Sequence, residues 1–270
     1  GERIFMTSIA SAFTAADGSR AKAFIPFITC GDPTIGVTEE LVVALERAGA
    51  DLIELGIPFS DPTAEGSTIQ EANIRALRGA VTTDDVFALV ARLRARGVRV
   101  PLAFMTYANV LFSYGLERFA TRAAGAGVDG VILPDVPHEE KPEFAEPLAA
   151  AGLELVSLIA PTSHDRIREI AADAQGFVYI VSSLGVTGVR SRITTDIDAM
   201  VALIREANPS VPCAVGFGIS TPEQAAMMAA SSDGAIVGSA IGRLVAEHGE
   251  GSVPVVEEYV RRMAEATHQA

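Results

Sequence analysis

A single glutamate interrupts an otherwise apolar run, Leu52-Ile53-Glu54-Leu55-Gly56-Ile57. Runs of this kind form buried β-strands, in which alternate side chains share a face. Burial removes water from Glu54, and desolvation raises the pKa of a carboxyl group toward the range useful for proton transfer. The alternative is a structural ion pair, but no lysine or arginine lies within another predicted strand to supply it. Gly56, on the same face, is expected to leave room for a ligand.

A second acidic residue, Glu65, follows eleven residues later in the next loop. On its own, an acidic loop residue is usually part of the solvated surface.

Three glycine-containing segments come late in the chain, Gly185–Gly188, Gly216–Ser220 and Gly238–Gly242. Their backbone N–H groups can approach an anion closely, and a helix that begins at Ser239 would direct its positive end toward it. We interpret these segments as a phosphate site, with ordinary turns as the alternative.

A repeated phrase indicates which elements position these residues. A glycine that ends a helix precedes a short apolar run, as in Ala48-Gly49-Ala50-Asp51 and Ala126-Gly127-Val128-Asp129. Amphipathic patterns precede the phrases, as Thr38–Ala48 does before Gly49 and Thr83–Arg96 does before a weaker copy, Arg96-Gly97. Strands and helices that alternate in this way form a parallel sheet covered by helices.

The predicted strands are Phe24–Thr29, Leu52–Ile57, Pro101–Met105, Gly130–Leu133, Leu155–Ile159, Phe177–Val181, Cys213–Val215 and Gly234–Val237. Eight parallel strands in about 250 residues are typical of a closed (β/α)8 TIM barrel, with an open doubly wound sheet as the alternative. We predict an α/β fold with one barrel domain over residues 1–270 and an extra N-terminal helix around Arg3 to Phe13. Catalytic groups of such barrels lie at the C-terminal ends of the strands.

Composition narrows the function classes. The chain has 270 residues, of which 49% are hydrophobic and 20% charged, so it can bury a large core. Its net charge of −13 disfavours nucleic acid and anionic membranes as partners. Two distant cysteines, and no apolar segment of about 18 residues, predict a soluble cytoplasmic protein.

Several chemistries are excluded by residue type and position. The four histidines have no metal-ligand spacing, and the only two lysines, Lys22 and Lys141, end no predicted strand. We therefore expect neither a metal centre nor a Schiff base. What remains is acid–base chemistry on a small phosphorylated substrate. Part of that substrate is expected to be flat and apolar, because apolar side chains lie near strand ends: Phe27, Met105, Tyr107, Ile132 and Phe217. Each could equally belong to the barrel core, and for Ile132 the core is the assignment we favour.

The chain resembles the tryptophan synthase α-subunit family in phrases that run in family order from about residue 7 to 265. They are Phe24–Pro33, Glu54–Pro62, Met105–Asn109, Asp135–Pro137, Gly185–Gly188, Gly216–Ile219 and Gly238–Ile241. The resemblance implies a lyase of tryptophan biosynthesis. Such an enzyme cleaves indole-3-glycerol phosphate to indole and glyceraldehyde 3-phosphate by a retro-aldol reaction.

The resemblance assigns the proton transfers to Glu54 and stabilisation of positive charge at the indole nitrogen to Glu65. The family has aspartate in a Pro-Leu-Ala-Asp-Gly-Pro phrase, where this chain has Pro62-Thr63-Ala64-Glu65-Gly66-Ser67. The longer side chain puts the placement of the carboxylate, and with it the activity, in question. By resemblance alone, Glu65→Asp should preserve or raise turnover.

The remaining site positions are also implied by the resemblance. Those at the indole or substrate pocket are Phe27, Met105, Tyr107 and Phe217, with Tyr179 beside Glu54; those at the phosphate are Gly188, Gly218, Gly238 and Ser239. Thr187 would bond a catalytic carboxylate when a lid over residues 182–195 closes.

Family members act as α2β2 complexes with a β-subunit that carries pyridoxal phosphate, so this chain itself is expected to hold no cofactor. Asp61, Pro62 and the stretch after Asn109, with apolar Val110-Leu111-Phe112, correspond to the face that meets the β-subunit. Two alternatives stay open. One is a stand-alone lyase, and the other is a weakly active α-like protein that mainly binds and activates a β-subunit.

Overall fold

A closed barrel of eight parallel strands organises the computed structural model, which describes residues 8–182, 190–216 and 218–270, with side chains for all but 190–196. Each strand pairs with the next along the chain, and the last pairs with the first. The strands are β1 (Ala23–Thr29), β2 (Ile53–Gly56), β3 (Leu102–Met105), β4 (Gly130–Ile132), β5 (Glu154–Ile159), β6 (Gln175–Val181), β7 (Cys213–Gly216) and β8 (Gly234–Val237).

Helices follow the strands around the outside of the barrel. They are α1 (Ile35–Arg47), α2 (Ser67–Arg78), α3 (Thr83–Ala95), α4 (Ala108–Tyr114), α5 (Leu116–Ala126), α6 (Lys141–Ala150), α7 (His164–Ala172), α8 (Arg190–Ala207), α9 (Pro222–Ser231), α10 (Ser239–His248) and α11 (Ser252–His268). The predicted TIM barrel is confirmed, and each predicted strand lies within two residues of an observed one.

The glycines of the repeated phrase end helices as predicted. Gly49 and Gly127 have φ angles of 101° and 102°, the left-handed conformation that glycine adopts without steric cost. The helix predicted over Thr38–Ala48 begins earlier, at Ile35. Its start is set by Thr34, whose hydroxyl oxygen accepts a hydrogen bond from the backbone N–H of Val37.

The predicted N-terminal helix differs in type from what is observed. Its described part is a 3₁₀ helix, Ile9–Phe13, and residues 1–7 lie outside the described chain. Ile9 and Phe13 are buried at the N-terminal end of the barrel, where the Phe13 ring lies 5.5 Å from that of Phe177. The short helix therefore closes the end of the barrel opposite the predicted site.

Alternation along the strands separates two apolar clusters. The larger cluster lies between the barrel and its helices, and the smaller fills the barrel interior. Ile132 is fully buried in the interior cluster, so its assignment to the core is confirmed. The interior cluster supports the floor of a cavity at the C-terminal ends of the strands.

Candidate active site

A cavity of about 320 Å³ opens at the C-terminal end of the barrel. Its lining brings together eight of the predicted site residues: Phe27, Glu54, Glu65, Met105, Tyr179, Gly218, Gly238 and Ser239. They come from six strands or the loops that follow them, separated by up to 212 positions in the sequence. Closure of the barrel is what makes them neighbours.

Glu54 lies in β2, beside Phe27 of β1 and Ala103 of β3. The side chain is completely buried, and neither carboxyl oxygen has a hydrogen-bond partner among the described residues. Desolvation by burial raises the pKa of Glu54 to about 8. The structural ion pair considered as an alternative is absent from the described part of the chain, so near neutral pH this carboxyl group is largely protonated.

Glu65 occupies the loop between β2 and α2 and is partly buried at the cavity. Burial raises its pKa to about 7, and hydrogen bonds from Asn73 and Tyr107 act in the opposite direction. The Asn73 amide nitrogen lies 3.0 Å from Glu65 Oε2. Glu65 is therefore held inside the site, and the general expectation of a solvated surface residue does not apply to it.

Tyr107 does not line the cavity, in contrast to its predicted place in the substrate pocket. The side chain lies behind Glu65 instead. Its hydroxyl oxygen accepts a hydrogen bond from the Ala64 N–H at 3.3 Å, and the hydroxyl group donates to the Glu65 carboxylate. The Tyr107 ring stacks on that of Phe59, with centroids 5.2 Å apart. Tyr107 thus supports the acidic loop.

Asn73 was not identified from the sequence, although a signal was present. Within α2, Ile69, Ala72, Asn73 and Ala76 form the buried face, so an amide stands where an amphipathic helix usually has an apolar residue. Buried amides must be hydrogen-bonded, and Asn73 bonds Glu65. Asn73 could have been identified from the sequence as a polar residue on the apolar face of a helix that follows a candidate acid.

The floor of the cavity near Glu54 is aromatic. Tyr179 of β6 is buried there, and burial together with the nearby Glu54 carboxylate raises the pKa of its phenol well above the usual value. This agrees with the expected position beside Glu54. The space expected at Gly56 is not left for a ligand, because an added Cβ would lie 2.7 Å from Phe27 Cζ. The missing side chain of Gly56 instead lets the Phe27 ring pack beside β2.

The opposite wall is formed by the loops after β7 and β8. Gly218, Gly238 and Ser239 line it, and α10 begins at Ser239 with no described side chain capping its first N–H groups. Such a helix start attracts anions. Arg243, one turn further along α10, is the only cationic side chain lining the cavity within the described ranges. Predicted residues Thr187, Gly188 and Phe217 lie outside the described chain.

A second cavity of about 360 Å³ adjoins the first and shares Glu65 and Met105 with it. Apolar side chains such as Leu158, Val181 and Pro134 form much of its wall.

In the described part of the chain, no three histidine, cysteine or acidic side chains cluster closely enough to bind a metal ion. No helix in the same part of the chain is long and apolar enough to cross a membrane.

The fold and site together define a (β/α)8-barrel enzyme whose paired carboxyl groups face an apolar cavity at the C-terminal end of the barrel. A family model, the tryptophan synthase alpha chain, matches residues 13–269. The chain belongs to the tryptophan synthase alpha chain family.

Individual relatives match over most of their length. The tryptophan synthase alpha chain of Lactiplantibacillus plantarum is 48% identical over 246 residues, covering 91% of this chain and 92% of the relative. That of Geobacter sulfurreducens is 49% identical, covering 88% and 90%. The crystal structure of tryptophan synthase subunit alpha from Legionella pneumophila has a TM-score of 0.83 at 38% identity, covering 92% and 94%.

Proposed function

We propose that the chain catalyses the α reaction of tryptophan synthase, cleaving indole-3-glycerol phosphate to indole and glyceraldehyde 3-phosphate. The observation that carries this proposal is the pairing of two carboxyl groups of different environment in one cavity. Glu54 is buried without a hydrogen-bond partner in the described chain, whereas Glu65 is held by donors. Different environments give two carboxyl groups different roles in acid–base catalysis.

The proton balance of the cleavage suits this pair. Protonated Glu54 donates its proton to C3 of the indole ring, and the ionised carboxylate then accepts the proton of the side-chain hydroxyl as the carbon–carbon bond breaks. The bonding electrons return to the ring, which regenerates indole, and the second proton restores Glu54. While C3 is protonated, positive charge develops at the ring nitrogen, and the Glu65 carboxylate accepts a hydrogen bond from its N–H.

We propose that each of the two cavities takes one end of this substrate. The phosphate would bind at the N-terminus of α10, where Gly238 and Ser239 present N–H groups. The indole ring would lie on Met105, toward the apolar second cavity. Glu54 and Glu65 then face the bonds that change, between the phosphate and the ring.

Cleavage is expected to show a bell-shaped pH profile. Glu65 must be ionised and Glu54 must be protonated at the start of the reaction, so kcat/KM should fall below about pH 7 and above about pH 8. Initial rates of indole release between pH 5.5 and 9.5 measure both limbs. A rate that keeps rising to pH 9.5 would contradict the acid role of Glu54.

Arg243 is expected to assist phosphate binding by charge. Two carboxyl groups also line the cavity, but neither they nor any other described acidic residue forms an ion pair with Arg243. Its positive charge is therefore not neutralised by a described residue. Replacing Arg243 with glutamine should raise KM roughly 5- to 10-fold with kcat nearly unchanged. Added salt should reduce the difference in KM between this variant and wild type, because salt screens the charge.

Arg262→Gln is the matched control, because it removes the same charge from an exposed position on α11 away from the cavity. Steady-state kinetics at low and physiological ionic strength compare the two variants. Equal KM values for wild type and Arg243→Gln would show that Arg243 contributes nothing to substrate binding.

A tryptophan synthase β-subunit is the proposed partner, in an α2β2 assembly in which the β-subunit supplies pyridoxal phosphate and this chain uses no cofactor. Two observations support a docking face beside the cavity. Asp61 is exposed in the loop that carries Glu65, and Phe112 on α4 is 50% exposed. Leu111 is buried and cannot take part.

We also propose a cytoplasmic location, where the free Cys30 and Cys213 would stay reduced.

Release of indole from indole-3-glycerol phosphate tests the proposal, with the purified chain alone and with a β-subunit. We expect turnover in both conditions and faster turnover in the complex. Equal rates would favour the stand-alone lyase. No indole in either condition would refute the lyase assignment. If the chain then still accelerated tryptophan formation from indole and serine by the β-subunit, its main role would be activation of that subunit.

A further inference from the structure

Asn73 connects both ends of the loop that carries Glu65. The side chain is 4% exposed, and all of its polar groups are used. Its Oδ1 accepts a hydrogen bond from the Phe59 N–H at 2.9 Å, near the start of the loop. Its Nδ2 donates to Glu65 Oε2 at 3.0 Å, near the end of the loop, and to the Ile69 carbonyl oxygen at 2.8 Å.

These partners determine the orientation of the amide. Phe59 offers only a donor, whereas the Ile69 carbonyl and the Glu65 carboxylate offer only acceptors. A rotated amide would oppose its own NH2 group to the Phe59 N–H and its oxygen to two acceptors, and would lose three hydrogen bonds. Because α2 holds Asn73 on its buried face, the hydrogen bond from Asn73 ties the Glu65 carboxylate to a rigid helix.

Tyr107 provides a second support for the same loop. Its hydroxyl oxygen accepts from the Ala64 N–H, the hydroxyl donates to Glu65, and its ring stacks on Phe59. Phe59 and Glu65, the two loop residues bonded by Asn73, are thus both contacted by Tyr107 as well. The loop backbone is restrained at Phe59 and Ala64, before the carboxylate, and the Glu65 carbonyl itself accepts a hydrogen bond from Gln70, which limits the freedom of the loop to shift.

We propose that Asn73 is a positioning residue for catalysis, whose side-chain amide places the Glu65 carboxylate in the cavity by tying it to α2 and to Phe59. The proposal rests on the proposed function and adds to it a residue that touches no substrate. It also explains how the chain accommodates glutamate, since the longer side chain reaches an amide donor on the helix.

This geometry changes the expectation for Glu65→Asp. An aspartate carboxylate would lie about 1.5 Å further from Asn73 Nδ2, and the restrained backbone cannot advance to compensate. We therefore expect Glu65→Asp to lower kcat roughly 10-fold, although resemblance alone favours an unchanged or higher rate.

The principal test is Asn73→Asp, a variant of the same shape. It keeps an oxygen that accepts from Phe59 but replaces the amide donor with a second acidic group beside Glu65. We expect kcat at pH 7 to fall roughly 10- to 100-fold with KM within about 3-fold. The acid limb of the pH profile should move up by about one pH unit, because a like charge raises the pKa of Glu65.

Asn208→Asp is the matched control. Asn208 is an asparagine too, partly buried where Asn73 is buried, and its amide donates to the backbone carbonyls of Ala171 and Ala174, but it lies outside the cavity. Thermal melts of both variants separate loss of stability from loss of position. Titration of ¹³C-labelled glutamate by NMR follows the pKa of Glu65 whether or not the protein turns over substrate.

A wild-type rate and acid limb in Asn73→Asp would overturn the inference. So would a lower rate with an unshifted acid limb and a loss of melting temperature like that of Asn208→Asp, because Asn73 would then be merely structural. If Asn73→Asp does not fold, an undiminished rate in Glu65→Asp overturns it equally. Absence of indole from the wild-type protein would refute the proposed function instead, while the NMR titration would still report on the Asn73–Glu65 bond.

Discussion

Replacing Glu54 with glutamine should lower kcat for indole release roughly 10³- to 10⁴-fold, with KM changed only a few-fold. Glutamine has the same shape but can neither donate the proton to C3 nor accept the hydroxyl proton. The residue is fully buried and has no hydrogen-bond partner in the described chain, so the substitution breaks no hydrogen bond to a described residue. Indole release over a range of substrate concentrations separates the two kinetic constants.

Glu154→Gln is the control for this experiment. Glu154 begins β5 at the opposite end of the barrel and also has a pKa raised by burial, but it bonds Ser8 and lies outside the cavity. Its replacement should leave kcat within about two-fold of wild type. If Glu54→Gln retained the full rate, the acid–base assignment would be wrong.

The same substitution should stabilise the protein, and increasingly so as the pH rises. The pKa of Glu54 is about 8 in the folded protein against 4.5 for an ordinary glutamate, so the folded state holds its proton more tightly than the unfolded state. The stability that depends on protonated Glu54 is therefore fully present below about pH 4.5. It is lost progressively as the pH rises to about 8. At pH 7 the loss amounts to roughly 3 kcal/mol, which Glu54→Gln should recover.

Melting temperatures at pH 5, 7 and 8.5 test this expectation. The difference between Glu54→Gln and wild type should be small at pH 5, reach roughly 6–12 °C at pH 7 and be larger still at pH 8.5 for a chain of this size. The exposed Glu247 of α10, which forms no ion pair with a described residue, supplies the control Glu247→Gln. A difference that stays constant with pH would mean that Glu54 ionises like a solvated carboxyl group.

These two results would together express one trade-off. A buried, unpartnered carboxyl group destabilises the fold near neutral pH, and the same desolvation brings its pKa to the range where it can both donate and accept a proton. The stability of the folded protein, taken alone, would favour an apolar residue at this position in β2.

Much of the site was predictable from local patterns. Glu54 stands in an apolar run, and the side-chain period of a strand places it on the inner face of the barrel. Gly238 and Ser239 stand at a strand-to-helix junction, which a barrel places at its C-terminal end. The family resemblance added Tyr179, which lines the same cavity.

Contacts between side chains from different elements were not predictable in the same way. Glu65 was recognised as a candidate, but its donors on α2 and after β3 were not, and Tyr107 was expected in the substrate pocket. Gly56 was expected to make room for a ligand, whereas Phe27 from the neighbouring strand fills the space.

The sequence by itself determined the barrel, because helix caps, apolar runs and their spacing act over a few residues and are written in consecutive positions. It also determined that a buried glutamate lies within the second strand. Only the tertiary structure decided what surrounds each acid, because those neighbours depend on the path of a loop and on the side chains that barrel closure brings against it. The difference between a solvated Glu65 and one held by Asn73 and Tyr107 arises at that level.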